Sequence, residues 1–273
     1  MEASIRRMSE EIGKILGPDY HSFWLYGSVV SEDFRLGWSD IDCIAFSREE
    51  ISPDQADALL MLRQQLSENE ADNPYYRLFE GVICTLPEYR EGCFARLVYW
   101  GTSGQRITDR WEPDAFSRWE LARLGRAVYG RQADRAGLFS PSGKEELFQA
   151  IRRHYEAIRR HYEAIRLHAR KTDESLYACG WLLDICRCLY TLRSGEVISK
   201  TQAAVWALEQ HLFEEEESLR KALEIRRNPL LYKDNSEVKT WLASLGPMVQ
   251  QYADVLEEAL KESHPAETNL ITH

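Results

Sequence analysis

A chain of 273 residues, 44% of them hydrophobic and 29% charged, has a globular composition and the length of one large domain or two ordinary ones. Its formal net charge of -10 argues against nonspecific binding of DNA or RNA, which needs a basic surface, and suits a small cationic substrate better. No apolar run is long enough to span a membrane, and the residues after Met1 lack the apolar stretch of a secretory signal. We therefore expect a cytoplasmic monomer with no nucleic-acid or membrane partner.

The cysteines indicate a reducing compartment. They form no CxxC pair and no spacing typical of a zinc site, and most of them lie within apolar strand-like or helical runs. The sequence therefore predicts free, buried thiols rather than disulfides. The six cysteines are Cys43, Cys84, Cys93, Cys179, Cys186 and Cys188.

The first 140 residues alternate between helical and strand patterns, which predicts a sheet flanked by helices. Helices are predicted at 2–16, 52–66 and 112–129. Strands are predicted at 23–26, 40–46, 78–86 and 97–100.

The pattern changes at the run Ser140-Pro141-Ser142-Gly143, which is typical of a domain boundary. Beyond it every strong pattern is helical, with helices predicted at 144–170, 174–194, 199–212, 215–228 and 235–262. We therefore predict an α+β protein, in which a mixed sheet with flanking helices precedes an all-α bundle. The predicted domains are residues 1–140 and 141–265, followed by a tail at 266–273.

A duplicated heptad lies in the first helix of the bundle, where residues 152–158 recur as 159–165. A heptad is nearly two helical turns, so the duplication keeps the apolar face almost in phase. Either the solvated helix tolerates the extra turns, or they reshape a substrate cleft with Tyr155, Tyr162, Glu156 or Glu163.

The most informative residues for chemistry follow two predicted strands. Gly27-Ser28 ends the first strand, and a helix is expected to start there, so exposed amides and a hydroxyl are available to phosphate oxygens. Asp40 and Asp42 are two residues apart on the second strand and point to one face. Two like charges so close are costly unless a cation neutralises them, and such oxygen ligands suit Mg²⁺. A phosphate cradle beside metal-binding carboxylates is typical of nucleotidyl transfer.

This combination resembles the motif of the nucleotidyltransferase superfamily that includes DNA polymerase β, in which Gly-Ser is followed by Asp-x-Asp. The resemblance implies that Gly27 and Ser28 bind the ATP phosphates and that Asp40 and Asp42 hold magnesium. It also implies a carboxylate from a neighbouring strand as catalytic base. Glu80 is the candidate, because it stands at the mouth of an otherwise apolar strand.

Glu80 has two rivals. Glu88 and Glu91 are close to it along the chain, but they lie in a polar loop after Pro87.

A second motif narrows the resemblance. Residues 190–208, Tyr-Thr-Leu-Arg-Ser-Gly-Glu-Val-Ile-Ser-Lys followed by Ala-Ala-Val-Trp-Ala-Leu, resemble the C-terminal helical domain of the aminoglycoside adenylyltransferases. The likeness covers about residues 20 to 230. It implies that Arg187 contacts the nucleotide and that Lys200 contacts its phosphates. Arg226 or Arg227 is a weaker candidate from the next helix.

The substrate region departs from the family pattern. The family has an acidic residue and a histidine ahead of its nucleotide arginine, where this chain has Tyr177 and Gly180. Asp173 and Tyr177 are weak candidates for substrate contacts, and Trp100 or Trp111 is a weak candidate for an aromatic wall.

The resemblance implies an ATP-dependent enzyme of antibiotic resistance. It would transfer AMP, with Mg²⁺, from ATP to a hydroxyl of a small cationic acceptor such as an aminoglycoside or aminocyclitol antibiotic, and would release pyrophosphate by in-line attack. Two alternatives stay open. One is a nucleotidyltransferase that acts on a protein or another non-antibiotic acceptor, and the other is a nucleotide-binding regulator without catalysis.

Overall fold

The structure of the protein, a computed structural model, describes residues 1–101, 104–166 and 176–263. The chain divides into two compact units. Unit 1 comprises Met1–Glu32 and Ser39–Pro141, and unit 2 comprises Asp33–Trp38 and Ser142–His273. The predicted α+β fold is confirmed. Within the described ranges, no helix combines the length and the apolar character that crossing a membrane requires.

The domain boundary at Pro141 lies one residue from the predicted one. The short segment Asp33–Trp38, which the prediction placed in the first domain, belongs to the helical unit instead. The predicted tail at 266–273 lies outside the described residues.

Unit 1 is built on a mixed six-stranded sheet in the order β5-β4-β3-β2-β1-β6. Neighbouring strands are antiparallel except β2 and β3, which are parallel. The strands are β1 (Tyr20–Leu25), β2 (Ile41–Ser47), β3 (Phe79–Thr85), β4 (Leu97–Gly101), β5 (Gly104–Thr108) and β6 (Arg126–Tyr129). The helices are α1 (Glu2–Leu16), α2 (Pro53–Asn69), α3 (Leu86–Glu91), α4 (Ala115–Leu124) and α5 (Arg135–Leu138).

The parallel pair at the centre of the sheet depends on α2, which provides the crossover between β2 and β3. A capping box starts this helix, because the Ser52 hydroxyl accepts from the Gln55 amide and the Gln55 side chain accepts from the Ser52 amide. β2 and β3 are buried along almost their whole length, as expected of central strands that are covered on both faces. Both strands therefore hold their polar second residues, Asp42 and Glu80, in fixed positions.

Three local predictions in unit 1 are wrong. The polar loop predicted after Pro87 is helix α3. The helix predicted to reach residue 129 ends at Leu124, because Gly125 leaves the helical conformation and the next residues pair with β1 as β6. The helix expected directly after β1 is a single 3₁₀ turn, Gly27–Val29. Strand β5 was not predicted, because its residues have little apolar alternation and are mostly exposed.

Unit 2 is helical, as predicted, and α7 is its central helix. The helices are α6 (Lys144–Arg166), α7 (Gly180–Ser194), α8 (Lys200–Glu209), α9 (Glu217–Arg227), α10 (Pro229–Tyr232), α11 (Ser236–Ala243) and α12 (Gly246–Ser263). α7 packs against α6, α8, α9 and α12 and buries nearly all of its apolar side chains. The duplicated heptad lies on α6, where Ile151 and Ile158 face the core.

The long helix predicted at 235–262 is divided into α11 and α12. Pro247 is the second residue of α12, where its missing N–H costs no helical hydrogen bond, whereas inside a continuous helix it would remove one. The described cysteines are all free, as predicted, and only Cys93 among them is exposed.

Candidate active site

The predicted phosphate turn of unit 1 is packed directly against a carboxylate. Gly27 has a φ of 66°, and a Cβ built on it would lie 2.1 Å from Oδ2 of Asp42. The backbone around the turn is fixed by two hydrogen bonds: Tyr26 N–H donates to the Asp42 carbonyl at 3.1 Å, and Ser28 Oγ donates to the Asp40 carbonyl at 3.3 Å. Glycine is required here both for its conformation and for the space that it leaves to Asp42.

The parallel register of the central strands brings two of the predicted site residues together. Asp42 on β2 lies directly opposite Glu80 on β3, so the two side chains share a face of the sheet. Asp40 lies one residue before β2, and its charge acts on Asp42. The structure therefore places Asp40, Asp42 and Glu80 near one another, at the start of the two parallel strands.

Asp42 is surrounded by other acidic side chains. Burial is the main reason that the pKa of the Asp42 carboxyl lies well above its ordinary value, and negatively charged neighbours raise the pKa further. Those neighbours are Glu120, Asp40, Glu80 and Asp114. Burial and these neighbours therefore favour the protonated form of Asp42, and positive charge supplied to the site would favour the ionised form.

Glu80 is held in place by a residue of the neighbouring strand β4. Tyr99 on β4 donates its hydroxyl to Oε1 of Glu80 at 3.3 Å, and the Arg106 guanidinium lies 4.3 Å from the centre of the Tyr99 ring. Arg63 of α2 donates to backbone carbonyls at the ends of β3 and β4 and interacts with the charge of Glu80. Its rival Glu88 is engaged elsewhere, because it completes the capping box of α3 with Thr85.

A cavity of about 410 Å³ opens in front of these acids. Asp42 and Glu80 line it together with Tyr26, Tyr99 and Trp111. Aromatic rings beside carboxylates suit an acceptor that has both apolar ring faces and positive charge. A second cavity of about 830 Å³ shares Trp111 and the residues around it.

Magnesium fits this donor set only together with a nucleotide. Within the residues that the structure describes, no group of three or more His, Cys, Asp or Glu side chains is arranged to hold a metal ion. Mg²⁺ is commonly bound by one or two carboxylates, with waters and substrate phosphates as its other ligands. Asp40 and Asp42 supply such a pair, and burial together with the neighbouring acids raises the pKa of the Asp42 carboxyl. The residues present therefore fit a metal that arrives with ATP.

We expect the acid at position 42 to make stability fall as pH rises. Folded Asp42 keeps its proton at pH values where the unfolded chain, with an ordinary carboxyl pKa of about 3.9, has lost it, so unfolding becomes easier with rising pH. Asp42→Asn removes this effect. Melting with a chelator present should give similar midpoints near pH 4 and a variant that is more stable by roughly 3 °C or more near pH 8. A gap that does not change with pH would contradict the raised pKa.

The two predicted cationic residues of unit 2 meet at one carboxylate. Lys200 Nζ lies 3.0 Å from the Asp184 carboxylate, and Arg187 Nη2 lies 3.4 Å from it. Burial alone would raise the pKa of Asp184, but Lys200 and Arg187 outweigh it and hold the pKa below its ordinary value. Asp184 was not predicted, although an acid within the apolar run of α7 is a signal that a cationic partner is near.

Of the two tryptophans proposed for substrate contacts, one lies in the core and the other lines the cavity. Trp100 is completely buried and donates its indole N–H to the Leu59 carbonyl at 3.1 Å, so it belongs to the core and cannot form the aromatic wall. Trp111 lines the cavity instead. Asp173 lies outside the described residues, and of Tyr177 the structure describes only the backbone, within the 3₁₀ turn Leu176–Cys179.

Glu120 is a further acid of the site that the sequence did not indicate. It is 8% exposed and lies on α4, with Asp42 among the groups that its charge affects. Only its place on a partly apolar helical face distinguishes it in the sequence from a surface glutamate.

Comparisons with known proteins agree with the second sequence motif. Residues 137–245 match the family model of the aminoglycoside adenylyltransferase C-terminal domain. No curated protein sequence matches the chain.

Solved structures give a similar result for the fold. The spectinomycin adenyltransferase AAD(9) from Enterococcus faecialis, solved with ATP and spectinomycin, is 17% identical, with a TM-score of 0.59 over 91% of this chain and 98% of that one. A toxin–antitoxin structure with AMP-PNP covers 60% of this chain and 97% of its own at 13% identity, but its TM-score of 0.28 is too low to carry an argument. The likeness to AAD(9) shows a shared fold across nearly the whole chain.

Proposed function

We propose that this chain, whose residues 137–245 match the aminoglycoside adenylyltransferase C-terminal domain, is an ATP-dependent nucleotidyltransferase that transfers AMP from ATP to a hydroxyl of a small cationic acceptor. An aminoglycoside or aminocyclitol antibiotic is the class of acceptor that the family and the negative cavity favour. The observation that carries the proposal is the in-register pair of Asp42 and Glu80 beside the Gly27 turn, in a chain whose second unit matches this family.

The nucleotide's phosphates are assigned to the backbone amides of the turn at Gly27 and Ser28. The Ser28 hydroxyl donates to the Asp40 carbonyl and would leave this contact to bind a phosphate. Asp40 and Asp42 would hold Mg²⁺, which when bound neutralises charge on the triphosphate and on the departing pyrophosphate. Arg187 and Lys200 are assigned to the nucleotide from unit 2. Both cations contact the Asp184 carboxylate, which places them close together within unit 2.

The chemical step is assigned to Glu80. A hydroxyl is a poor nucleophile at neutral pH, so Glu80 takes its proton while the acceptor oxygen forms a bond to the α-phosphorus of ATP. The bond from that phosphorus to the bridging oxygen breaks on the opposite side, and pyrophosphate leaves with the electron pair. Tyr99 supports this role by holding Glu80 through one oxygen, which leaves the other for the acceptor.

The charge of the cavity supports a cationic acceptor. Asp42, Glu80, Glu112 and Asp114 line it. Arg106 and Arg110 also line the cavity, so its positive charges are fewer than its acids. Amino groups of an acceptor would therefore be attracted, and a neutral sugar would gain less.

The function is tested by incubating the purified chain with ATP and a panel of aminoglycosides and aminocyclitols, and by measuring pyrophosphate and adenylylated product. We expect product with at least one acceptor, and strongly reduced product formation with Asp40→Asn. Asp57→Asn, an exposed acid on α2, is the matched control and should behave as the wild type. A strain that expresses the protein should tolerate the same acceptor.

Two results would point away from this proposal. Labelled ATP that modifies a protein in a lysate, but no antibiotic, would favour a protein acceptor. ATP binding without transfer to any acceptor would favour a regulator.

A further inference from the structure

The segment Asp33–Trp38 lies between Ser28 and Asp40 in the sequence, yet it belongs to the helical unit. It is joined to that unit by a buried ion pair, in which the side chains of Asp33 and Arg226 are each only 4% exposed. Arg226 was a weak candidate for a nucleotide contact, and this burial assigns it a different role. The ion pair therefore fixes Asp33–Trp38, the segment between Ser28 and Asp40, to α9.

The geometry of the pair is specific. Arg226 Nη2 donates to Asp33 Oδ2 at 2.7 Å and to the Asp33 carbonyl at 3.3 Å, and Arg226 Nε donates to Oδ2 at 3.2 Å. The guanidinium also lies 5.4 Å from the ring centre of Trp38. Apolar side chains of similar size often stabilise a fold as well as a buried ion pair does, so stability alone gives little reason for this pair. The ion pair does, however, hold the Asp33 carboxylate in a defined position.

That carboxylate is directed at the first turn of α8. Thr201 donates its hydroxyl to Asp33 Oδ1 at 2.5 Å and its backbone N–H to Oδ2 at 3.3 Å. Ser199, the N-cap of this helix, accepts from the Gln202 amide. Lys200 is the residue between Ser199 and Thr201, so the backbone that carries Lys200 is held on both sides.

We propose that Asp33, held in place by Arg226, is a positioning residue for Lys200 in nucleotide binding. Through Thr201 it fixes the start of α8, while Asp184 directs the Lys200 ammonium group. This inference rests on the proposed function, because it requires Lys200 to contact the ATP phosphates. It extends that function to residues that do not touch ATP themselves.

The test weakens the Asp33 contact without leaving a buried charge unpaired. Thr201→Val keeps the shape of the side chain and removes the donor to Oδ1, and Thr201→Ser keeps the donor. Calorimetry of the full chain with ATP and Mg²⁺ should show a Kd roughly five- to tenfold higher in Thr201→Val, and within about twofold of wild type in Thr201→Ser. Thr240→Val is the matched control, since Thr240 is exposed on α11 and its hydroxyl bonds only within that helix.

A second arm separates positioning from a general structural role. In a Lys200→Met background, Thr201→Val should cause no further loss of ATP affinity, because the group that it positions is gone. Equal losses in both backgrounds, or no loss in Thr201→Val alone, would overturn the inference. Failure of the wild type to bind ATP would instead overturn the proposed function, and the inference with it. Melting temperatures of all variants check that each is folded.

Discussion

Glu80→Gln is expected to lower turnover by roughly 10²–10⁴-fold, the usual contribution of a positioned general base. Glutamine keeps the shape of the side chain and can still accept the hydrogen bond from Tyr99, but it cannot take a proton from the acceptor. ATP binding should therefore stay close to that of the wild type. Rates of product formation at saturating substrates, together with calorimetry of ATP binding, measure the two effects separately.

Glu91→Gln is the control for this variant, because Glu91 is the exposed rival on α3 and should leave turnover unchanged. If Glu80→Gln loses Mg²⁺-dependent ATP binding, then Glu80 is a metal ligand and not the base. If turnover is unaffected, another group accepts the proton or no base is needed.

Asp40→Asn should remove most of the magnesium dependence of ATP binding and reduce kcat/KM by roughly 10²–10³-fold. A bound metal contributes several kcal/mol to stabilising charge in phosphoryl transfer, and each 1.4 kcal/mol or so corresponds to a factor of ten in rate. Burial and the acids around Asp42 raise the pKa of its carboxyl, so magnesium and ATP should strengthen each other's binding in the wild type.

Calorimetry with ATP, with and without Mg²⁺, checks this prediction. In the wild type Mg²⁺ should tighten ATP binding, and in Asp40→Asn the two curves should nearly coincide, while Asp57→Asn keeps the wild-type difference. Equal ATP affinity in Asp40→Asn and wild type, with metal present, would show that Asp40 does not hold the metal.

Several features of the site could be predicted because their causes lie close together in the sequence. Strand alternation places Asp40 and Asp42 on one face, and a glycine before a serine at a strand end marks the tight turn. Helical periodicity identified most of unit 2, and the short motif around Lys200 indicated the family that residues 137–245 match. Local patterns carry this information because they depend on backbone geometry over only a few residues.

Two of the wrong predictions concern residues whose structure depends on strand pairing. Arg126–Tyr129 continues a helical pattern but becomes β6, because an edge of the sheet beside β1 is available to it. Trp100 is an aromatic residue near the predicted site, but the pleat of β4 turns its ring into the core. The outcome in both places depends on a partner strand that is distant in the sequence.

The sequence by itself determined the class of fold, the turn at Gly27-Ser28 and the acidic pair at Asp40 and Asp42. Only the tertiary structure decided which distant groups act on them. Glu120 acts on Asp42 from a helix that was predicted, although nothing in the sequence linked this residue to the site. Elsewhere, Asp33 and Arg226, which form a buried ion pair in unit 2, are 193 residues apart in sequence. The physical reason is that the energy of a buried charge depends strongly on the groups that the fold brings beside it, and those neighbours are set by packing and not by local periodicity.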